Sequence, residues 1–478
     1  MKEKLQAAMS YAKKLGADFA DIRVKDIQME STRVETGSLV SASNERSLGY
    51  GVRVYVDGSM GFAASNDMQA IETTVEEAFN IAKASLTLQG NKVELDTKEA
   101  VTATYKTPVL QDPFEIPFAE KLSLMMDCDK NMRASQGVSR TYVSFNFRKD
   151  DVIFACTDGS YIEQNFCQCD VSLGAIATND TDMQRRSYCD VIRAGFESVR
   201  EKDLPNRAMT IGQEAVQLLA AQDCPSGTYD VIITPRQLFL QIHESVGHPT
   251  ELDRVLGSEA AFAGRSFLEP ANVLDKPITY GSKHVTLVAD ATCPRGLGTF
   301  AYDDEGVPAQ NITLVDKGEF VAFQTSRDNA RHVGQNSSGG GLSDGWRNLP
   351  IVRMTNINLM PGDATLNQLI EGMEYGFIFD ENKSWSIDDL RVNFQFACEL
   401  AWEVKDGKLT GKIFKNPIYS GKTTEFWGSC DGVANADFWE LVGVPNCGKG
   451  QPMQVMRVSH GSSPARFRNI KVGVNDVK

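Results

Sequence analysis

The residues best equipped for chemistry are His243-Glu244-Ser245-Val246-Gly247-His248, with Glu251 and Asp253 close behind. Two of the chain's five histidines lie in this stretch, and a carboxylate follows the first directly. Two imidazoles able to close on one divalent ion, with a glutamate beside them to move a proton, supply what metal-assisted hydrolysis requires. The first expectation is a hydrolase.

The two histidines are five residues apart, one more than in the H-E-x-x-H signature of zinc peptidases. In a regular α-helix that spacing turns them about 140° from one another, where the shorter spacing leaves about 40°. Both reach one ion only if the helix bulges by a residue or ends between them. Gly247, tolerant of irregular backbone, and Pro249, which cannot donate the next helical hydrogen bond, suit such a break. The competing reading is structural, since a His-Glu pair arises by chance in a long chain and a lone histidine commonly serves as a hydrogen-bonded core residue.

A catalytic zinc usually takes three protein ligands. His284, His332, His460, a nearby carboxylate or a cysteine would complete the set. Cys447 stands out among ten cysteines. It lies in Pro445-Asn446-Cys447-Gly448-Lys449-Gly450-Gln451, a polar, glycine-rich stretch that reads as a loop, whereas Cys156 and Cys398 sit among Phe and Ala. An accessible thiolate there serves as a ligand or as a nucleophile, and beside an H-E pair the ligand role fits better. Glu251 and Asp253 follow His248 closely enough to orient its free ring nitrogen, as carboxylates behind metal-bound histidines do. Their alternative is a solvated acidic turn.

The elements that must position these residues are legible in outline. Leu5, Ala8, Met9, Ala12 and Leu15 form one face of an opening helix, and Asp67 to Leu86, Pro117 to Ser135 and Asn206 to Ala221 repeat that period. Ala20 to Val24, Met29 to Glu35, Tyr50 to Val56 and Met60 to Ala64 alternate as strands, the last two joined at Asp57-Gly58. Arg140 to Phe147 and Val152 to Glu163 read as strands joined near Lys149-Asp150, with a further turn at Asp158-Gly159 and another strand over Gln164 to Thr178. Residues 1–222 therefore read as an N-terminal α+β domain of helices on a mainly antiparallel sheet. Past Cys224-Pro225-Ser226-Gly227, residues 223–478 read as a second, mostly antiparallel β domain: a buried strand at Tyr229 to Thr234, the motif helix over Arg236 to Gly247, then strands and turns. The long stretches Cys293 to Asn311 and Gln335 to Pro350 are candidates to build a site.

Composition narrows the partners. The 478 residues suit two domains or three, and no run approaches the ~18 apolar residues of a membrane span. Asp and Glu outnumber Lys and Arg by 63 to 49, a balance that argues against nucleic acid as a direct partner. The opening helix lacks the apolar core and cleavage site of a secretory signal, and the cysteines form no CxxC, so a cytoplasmic location is expected.

A resemblance sharpens these readings. His243-Glu244-x-x-x-His248-x-x-Glu251-x-Asp253, Tyr302-Asp303-Asp304-Glu305-Gly306-x-Pro308, Leu349-Pro350-x-x-Arg353-Met354-Thr355-Asn356 and Cys447-Gly448-Lys449-x-Gln451 together resemble the TldD branch of the TldD/PmbA metallopeptidase family. The likeness spans nearly the whole chain. It implies a zinc peptidase with the metal on His243, His248 and Cys447 and with Glu244 as general base. It also implies a dimer, homodimeric or with a TldE/PmbA-like sister that lacks the metal motif, acting on unfolded or flexible peptides in maturation or degradation. An extended peptide adding as a strand to an exposed sheet edge would be read weakly by side chain. The rivals are a catalytically idle scaffold or regulatory subunit, and a thiol hydrolase using Cys447.

Overall fold

The computed structural model describes residues 1–88, 92–96, 98–260 and 264–473. Alternation of apolar and polar residues in the first half produces seven strands: β1 (Phe19–Glu35), β2 (Ser38–Val56), β3 (Ser59–Ser65), β4 (Thr102–Lys106), β5 (Val138–Cys156), β6 (Tyr161–Thr178) and β7 (Met183–Ile192). They form one sheet in the order β3-β2-β1-β5-β6-β4, with β7 also paired to β6. Only β4 with β6 is parallel in that sheet.

The period of two assigns the faces. Ala20, Ile22 and Val24 of β1 pack with Leu5, Ala8 and Met9 of helix Lys2–Leu15 and with Val75 and Ala78 of helix Ile71–Ser85. Val143, Phe145 and Leu173 do the same with Met125 and Met132 of helix Phe118–Arg133 and Ile211 of helix Leu204–Ala220. Helices thus cover one face. The intervening Asp21, Arg23 and Lys25 are equally buried, because the second half of the chain covers the other. Arg53 bridges Asp21 and Glu305, each at 2.7 Å, and Lys25 donates to Asp304 at 2.7 Å and to the Ser343 carbonyl at 2.8 Å. Buried charges persist only when paired in this way. The long stretches around Asp304 and Ser343, candidates to build a site, clamp the two halves together and line a cavity between them.

One sequence reading of this sheet is corrected. Asp57 and Gly58 do turn the β2–β3 hairpin with φ of 46° and 74°, as a two-residue turn demands. Lys149 and Asp150, however, are no turn: β5 runs straight through them opposite Gln28 and Ile27 of β1, and the chain reverses at Asp158-Gly159. Their charges are met inside the sheet surface, Lys149 by Asp112 and Asp150 by Arg148. A charged pair in mid-strand therefore costs little and mimics a turn.

Burial pushes the Asp170 carboxyl on β6 up to about 6, against weaker opposing hydrogen bonds from Asn146 and Ser172. A carboxylate whose folded pKa lies above its unfolded value loses stability as pH rises from about 4 through 6. Asp170→Asn should gain about 1–3 kcal/mol at pH 8 and less at pH 5, measured by urea unfolding.

The second half is organised by an eight-stranded sheet that includes Gly227–Ile233, Tyr375–Ile387, Asn393–Lys405 and Ala465–Val472, mostly antiparallel. A four-stranded sheet and two smaller strand pairs complete it, among them the pair Glu440–Lys449 with Gln454–Ser462. Both halves are α+β with mainly antiparallel sheets, the class expected from the sequence. Among the described residues no helix is long and apolar enough to cross a membrane.

Candidate metal centre

The motif helix, Pro235–Ile242, starts with a proline, whose missing N–H costs nothing at that end, and buries Leu238 and Ile242, with Val246 just beyond it, against Val231, Phe379, Met354 and Ile357. At His243 the regular helix stops. Residues His243–Gly247 form a π-turn, in which the His248 N–H donates to the His243 carbonyl, and His248–Thr250 continue as a short 3₁₀ turn. An i→i+5 turn brings residues five apart onto one face, which resolves the spacing.

A widened turn loses regular partners for its carbonyls, and the surrounding fold replaces them. Tyr280 donates to the Ser245 carbonyl, Thr250 Oγ1 to the Val246 carbonyl at 2.9 Å, and Gln324 Nε2 to the Gly247 carbonyl at 2.9 Å. Trp427 fixes the Ser245 hydroxyl at 2.9 Å. The role expected of Gly247 differs in kind. Its φ of −56° and ψ of −61° are open to any residue, but a Cβ there would sit 2.3 Å from Met354 Sδ. Glycine is required by space, not by conformation.

Cys447 is also placed differently from expectation. It lies in strand Glu440–Lys449 opposite Met456, buried at 2% exposure, and not in an open loop. The chain from Val444 to Cys447 carries a register shift. Arg353 holds the Cys447 carbonyl and, at 3.1 Å, that of Gln454, while Lys449 donates to Asp253 Oδ1 and the Val352 carbonyl, both at 2.6 Å.

These elements bring His243, His248 and Cys447 together: one donor atom from each lies within 4.8 Å of the others, with Cys447 Sγ 3.8 Å from His248 Nε2. Zinc bonds of about 2.0–2.3 Å set donor atoms about 3.3–3.8 Å apart, so the cluster needs little closure to hold the ion. The donor chemistry fits as well. His460 Nδ1 lies 3.1 Å from the Ile357 carbonyl, to which it donates, leaving its Nε2 to accept from His243 Nδ1 at 2.8 Å. His243 Nε2 is then a free lone pair. His248 Nδ1 donates to Glu251 Oε2 at 3.0 Å, which frees His248 Nε2 in the same manner. Burial holds both His243 and His248 down at about 4, so both rings are neutral donors at pH 7. Burial opposes ionisation of Cys447, while the Arg353 guanidinium beside it draws the thiol below its usual range.

Glu251 is fully buried, and burial disfavours its charge, but Lys449, His248 and Arg254 hold it well below the usual carboxylate range. Arg254 donates to the same Oε2 at 3.2 Å. Asp253 is placed elsewhere: its carboxylate takes Lys449 and the Val352 N–H, the latter at 3.1 Å, so it anchors the Cys447 strand and does not orient His248. Glu244 sits beside the cluster with Oε2 2.5 Å from Arg391 Nη1. His284 and His332 are exposed.

Sequence reasoning missed two roles. His460 was a candidate ligand, and only the pairing of its strand with Glu440–Lys449, next to Ile357, makes it the support of His243. Arg391 gave no signal: it lies in a loop 147 residues from Glu244. His460→Gln should lower metal affinity about 10–100-fold while leaving the fold intact, measured by competition with a chromogenic chelator. Unchanged affinity would show that the 2.8 Å contact orients nothing.

Comparison with known proteins decides the family. Residues 226–474 match the PmbA/TldA metallopeptidase C-terminal domain, residues 20–82 its domain 1 and residues 111–222 its central domain. The chain belongs to the PmbA/TldD metallopeptidase family. A metalloprotease of Methanothermobacter thermautotrophicus is 30% identical over 95% of this chain and 95% of its own. The zinc metalloprotease TldD homolog of Saccharolobus solfataricus is 24% identical over 97% and 98%. Among solved structures, a Thermotoga maritima protein described as a candidate modulator of a DNA gyrase superposes with a TM-score of 0.78 at 18% identity, covering 99% of this chain and all of that one. TldE from Thermococcus kodakarensis superposes with 0.73 at 16%, covering 98% and 100%. The fold is that of TldD/TldE-type proteins, and this member of the family is a metallopeptidase with a buried His-His-Cys cluster.

Proposed function

We propose that this metallopeptidase is zinc-dependent and hydrolyses peptide bonds in unfolded or flexible peptides, in peptide maturation or degradation. The observation that carries the reading is the convergence of two imidazole nitrogens and the Cys447 sulfur beside the Glu244 carboxylate. Zinc bound by His243, His248 and Cys447 would acidify a water and polarise a carbonyl. Glu244 takes the proton of the attacking water and returns it to the leaving amine. Glu251, ion-paired with Arg254 and Lys449, keeps the His248 tautomer fixed.

The sheet edges suit an extended substrate. Residues Ser38 to Leu48 of β2 pair on one side with β1, while β3 begins to pair only at Tyr50. A peptide added to such an edge is held by its backbone. Shuffling the side chains of an unstructured peptide at constant length should change its cleavage little, and a sharp dependence on one residue would sink this part of the reading. The division into domains at 222/223 is supported by the start of the C-terminal family match at residue 226. Pairing with a second subunit, a copy or a TldE-like sister, is supported by the likeness to TldE, and light scattering of the purified chain alone distinguishes the two.

One geometric feature favours a second reading. Cys447 Sγ, His248 and Glu251 line up at 3.8 and 3.0 Å like a nucleophile, its base and the carboxylate that orients it. Elemental analysis separates the readings, because a thiol hydrolase needs no stoichiometric zinc. The family and its metalloprotease relatives speak against an idle scaffold.

A further inference from the structure

We infer that Arg391 is a catalytic residue of this peptidase: its guanidinium, parked on Glu244 in the resting site, donates to the oxygen that becomes negative when water adds to the peptide carbonyl. The inference rests on the metallopeptidase reading above and adds a residue to it.

The first observation is placement. Arg391 Nη1 lies 2.5 Å from Glu244 Oε2, the group that must touch the attacking water. The second is access to solvent. Arg353, Arg254 and Lys449, the other cations around the cluster, are fully buried, with Arg353 on the Cys447 and Gln454 carbonyls, Arg254 on Glu251 and the Gly264 carbonyl, and Lys449 on Asp253 and Val352. Tyr280 and Tyr419 are likewise buried, on the Ser245 carbonyl and on Gln237 and Gln241. The Arg391 side chain keeps 14% exposure, so it meets both the cluster and solvent.

The third observation is that the backbone is built to hold Arg391 there without help from Glu244. Its φ of 64° lies in the left-handed region, which an arginine enters only at a cost. Asp388 meets that cost by accepting the Val392 N–H at 2.8 Å, the Asn393 N–H at 3.0 Å and Asn393 Nδ2 at 2.6 Å. The Arg391 N–H donates to the Asp388 carbonyl at 2.9 Å, and Thr423 Oγ1 donates to the Arg391 carbonyl at 2.6 Å. A loop fastened this firmly presents the guanidinium as a preorganised donor, the form that stabilises developing charge best.

The chemistry follows from the fork of the guanidinium. It carries five N–H donors in a fixed fork, so it can serve Glu244 and the substrate oxygen together. As Glu244 takes a proton from the water, the oxygen–carbon bond forms and the carbonyl π pair moves onto the carbonyl oxygen. Arg391 meets that charge. When the carbon–nitrogen bond breaks, the pair returns and the proton on Glu244 goes to the amine.

The test compares zinc-reconstituted wild type, Arg391→Met and Arg391→Lys for turnover of an unstructured peptide, zinc content and affinity for a phosphinic peptide that mimics the tetrahedral oxyanion. Arg391→Met should keep its zinc and its KM, lose kcat about 10²–10³-fold, and lose phosphinic-peptide affinity by a comparable factor. Lysine and added guanidinium should restore part of both. Full kcat in a folded Arg391→Met overturns the inference. So does lost kcat with undiminished phosphinic-peptide affinity, which would make Arg391 only a positioning residue for Glu244. Failure of the metallopeptidase reading looks different: wild type itself would bind no zinc and cleave nothing.

Discussion

Zinc-loaded Glu244→Gln should hydrolyse an unstructured peptide about 10²–10⁴-fold more slowly than wild type while holding the same zinc per chain. Glutamine keeps the size of glutamate, and its amide oxygen still accepts from Arg391, so the loop that carries Arg391 stays in place. It cannot take a proton from water. The three converging donors do not include Glu244, so the metal has no reason to leave. The measurement pairs initial rates with elemental analysis of the same sample. Wild-type rates in the variant would remove Glu244 from the chemistry and favour Cys447 as nucleophile, whereas lost zinc would make Glu244 a structural support of the cluster.

The second large effect is expected at the third donor. Cys447→Ser replaces a thiolate with a neutral hydroxyl of similar shape, so the strand pair Glu440–Lys449 with Gln454–Ser462 should persist. A whole site of this kind binds zinc with about 10–16 kcal/mol, so removing one anionic ligand should cost about 3–4 kcal/mol, or roughly 10²–10³ in affinity. Wild type and Cys447→Ser prepared side by side without chelator should differ by elemental analysis, near-stoichiometric zinc in one and little in the other. Equal occupancy would move the third ligand elsewhere in the chain. No zinc in either, after anaerobic reconstitution, would end the zinc assignment. Cys447 must be reduced for the comparison, since oxidation of the thiol removes the ligand as surely as the mutation does.

Much of the site was legible because its chemistry is written in residue types close in sequence. His243, Glu244 and His248 announce a metal and a proton carrier together, and their five-residue spacing by itself demands a bulge or a break. The elements of the first half were equally readable, because period-two alternation survives in β1, β2, β5 and β6 and the helical period survives in the four helices packed on them. Turn chemistry at Asp57-Gly58 is local, so the sequence determines it. At Lys149-Asp150 the same kind of signal misled, since the pairing of Lys149 with Asp112 and of the strand itself with β1 is not local.

The tertiary structure decided what depends on partners far along the chain. That Gly247 must be a glycine follows from Met354, more than a hundred residues later, and not from its own backbone angles. That Cys447 is a buried strand residue follows from its pairing with Met456 and from Arg353, because a run of Pro, Asn, Gly and Lys carries no strand pattern. His460, Arg391 and Lys449 gained their places only when three separate segments closed around the π-turn, and Asp253 lost its expected one to Lys449. Residue chemistry and short-range periodicity are encoded locally; which lone pair faces the centre of the His-His-Cys cluster, and which cation faces Glu244, is set by hydrogen bonds between segments that only folding brings within about 3 Å.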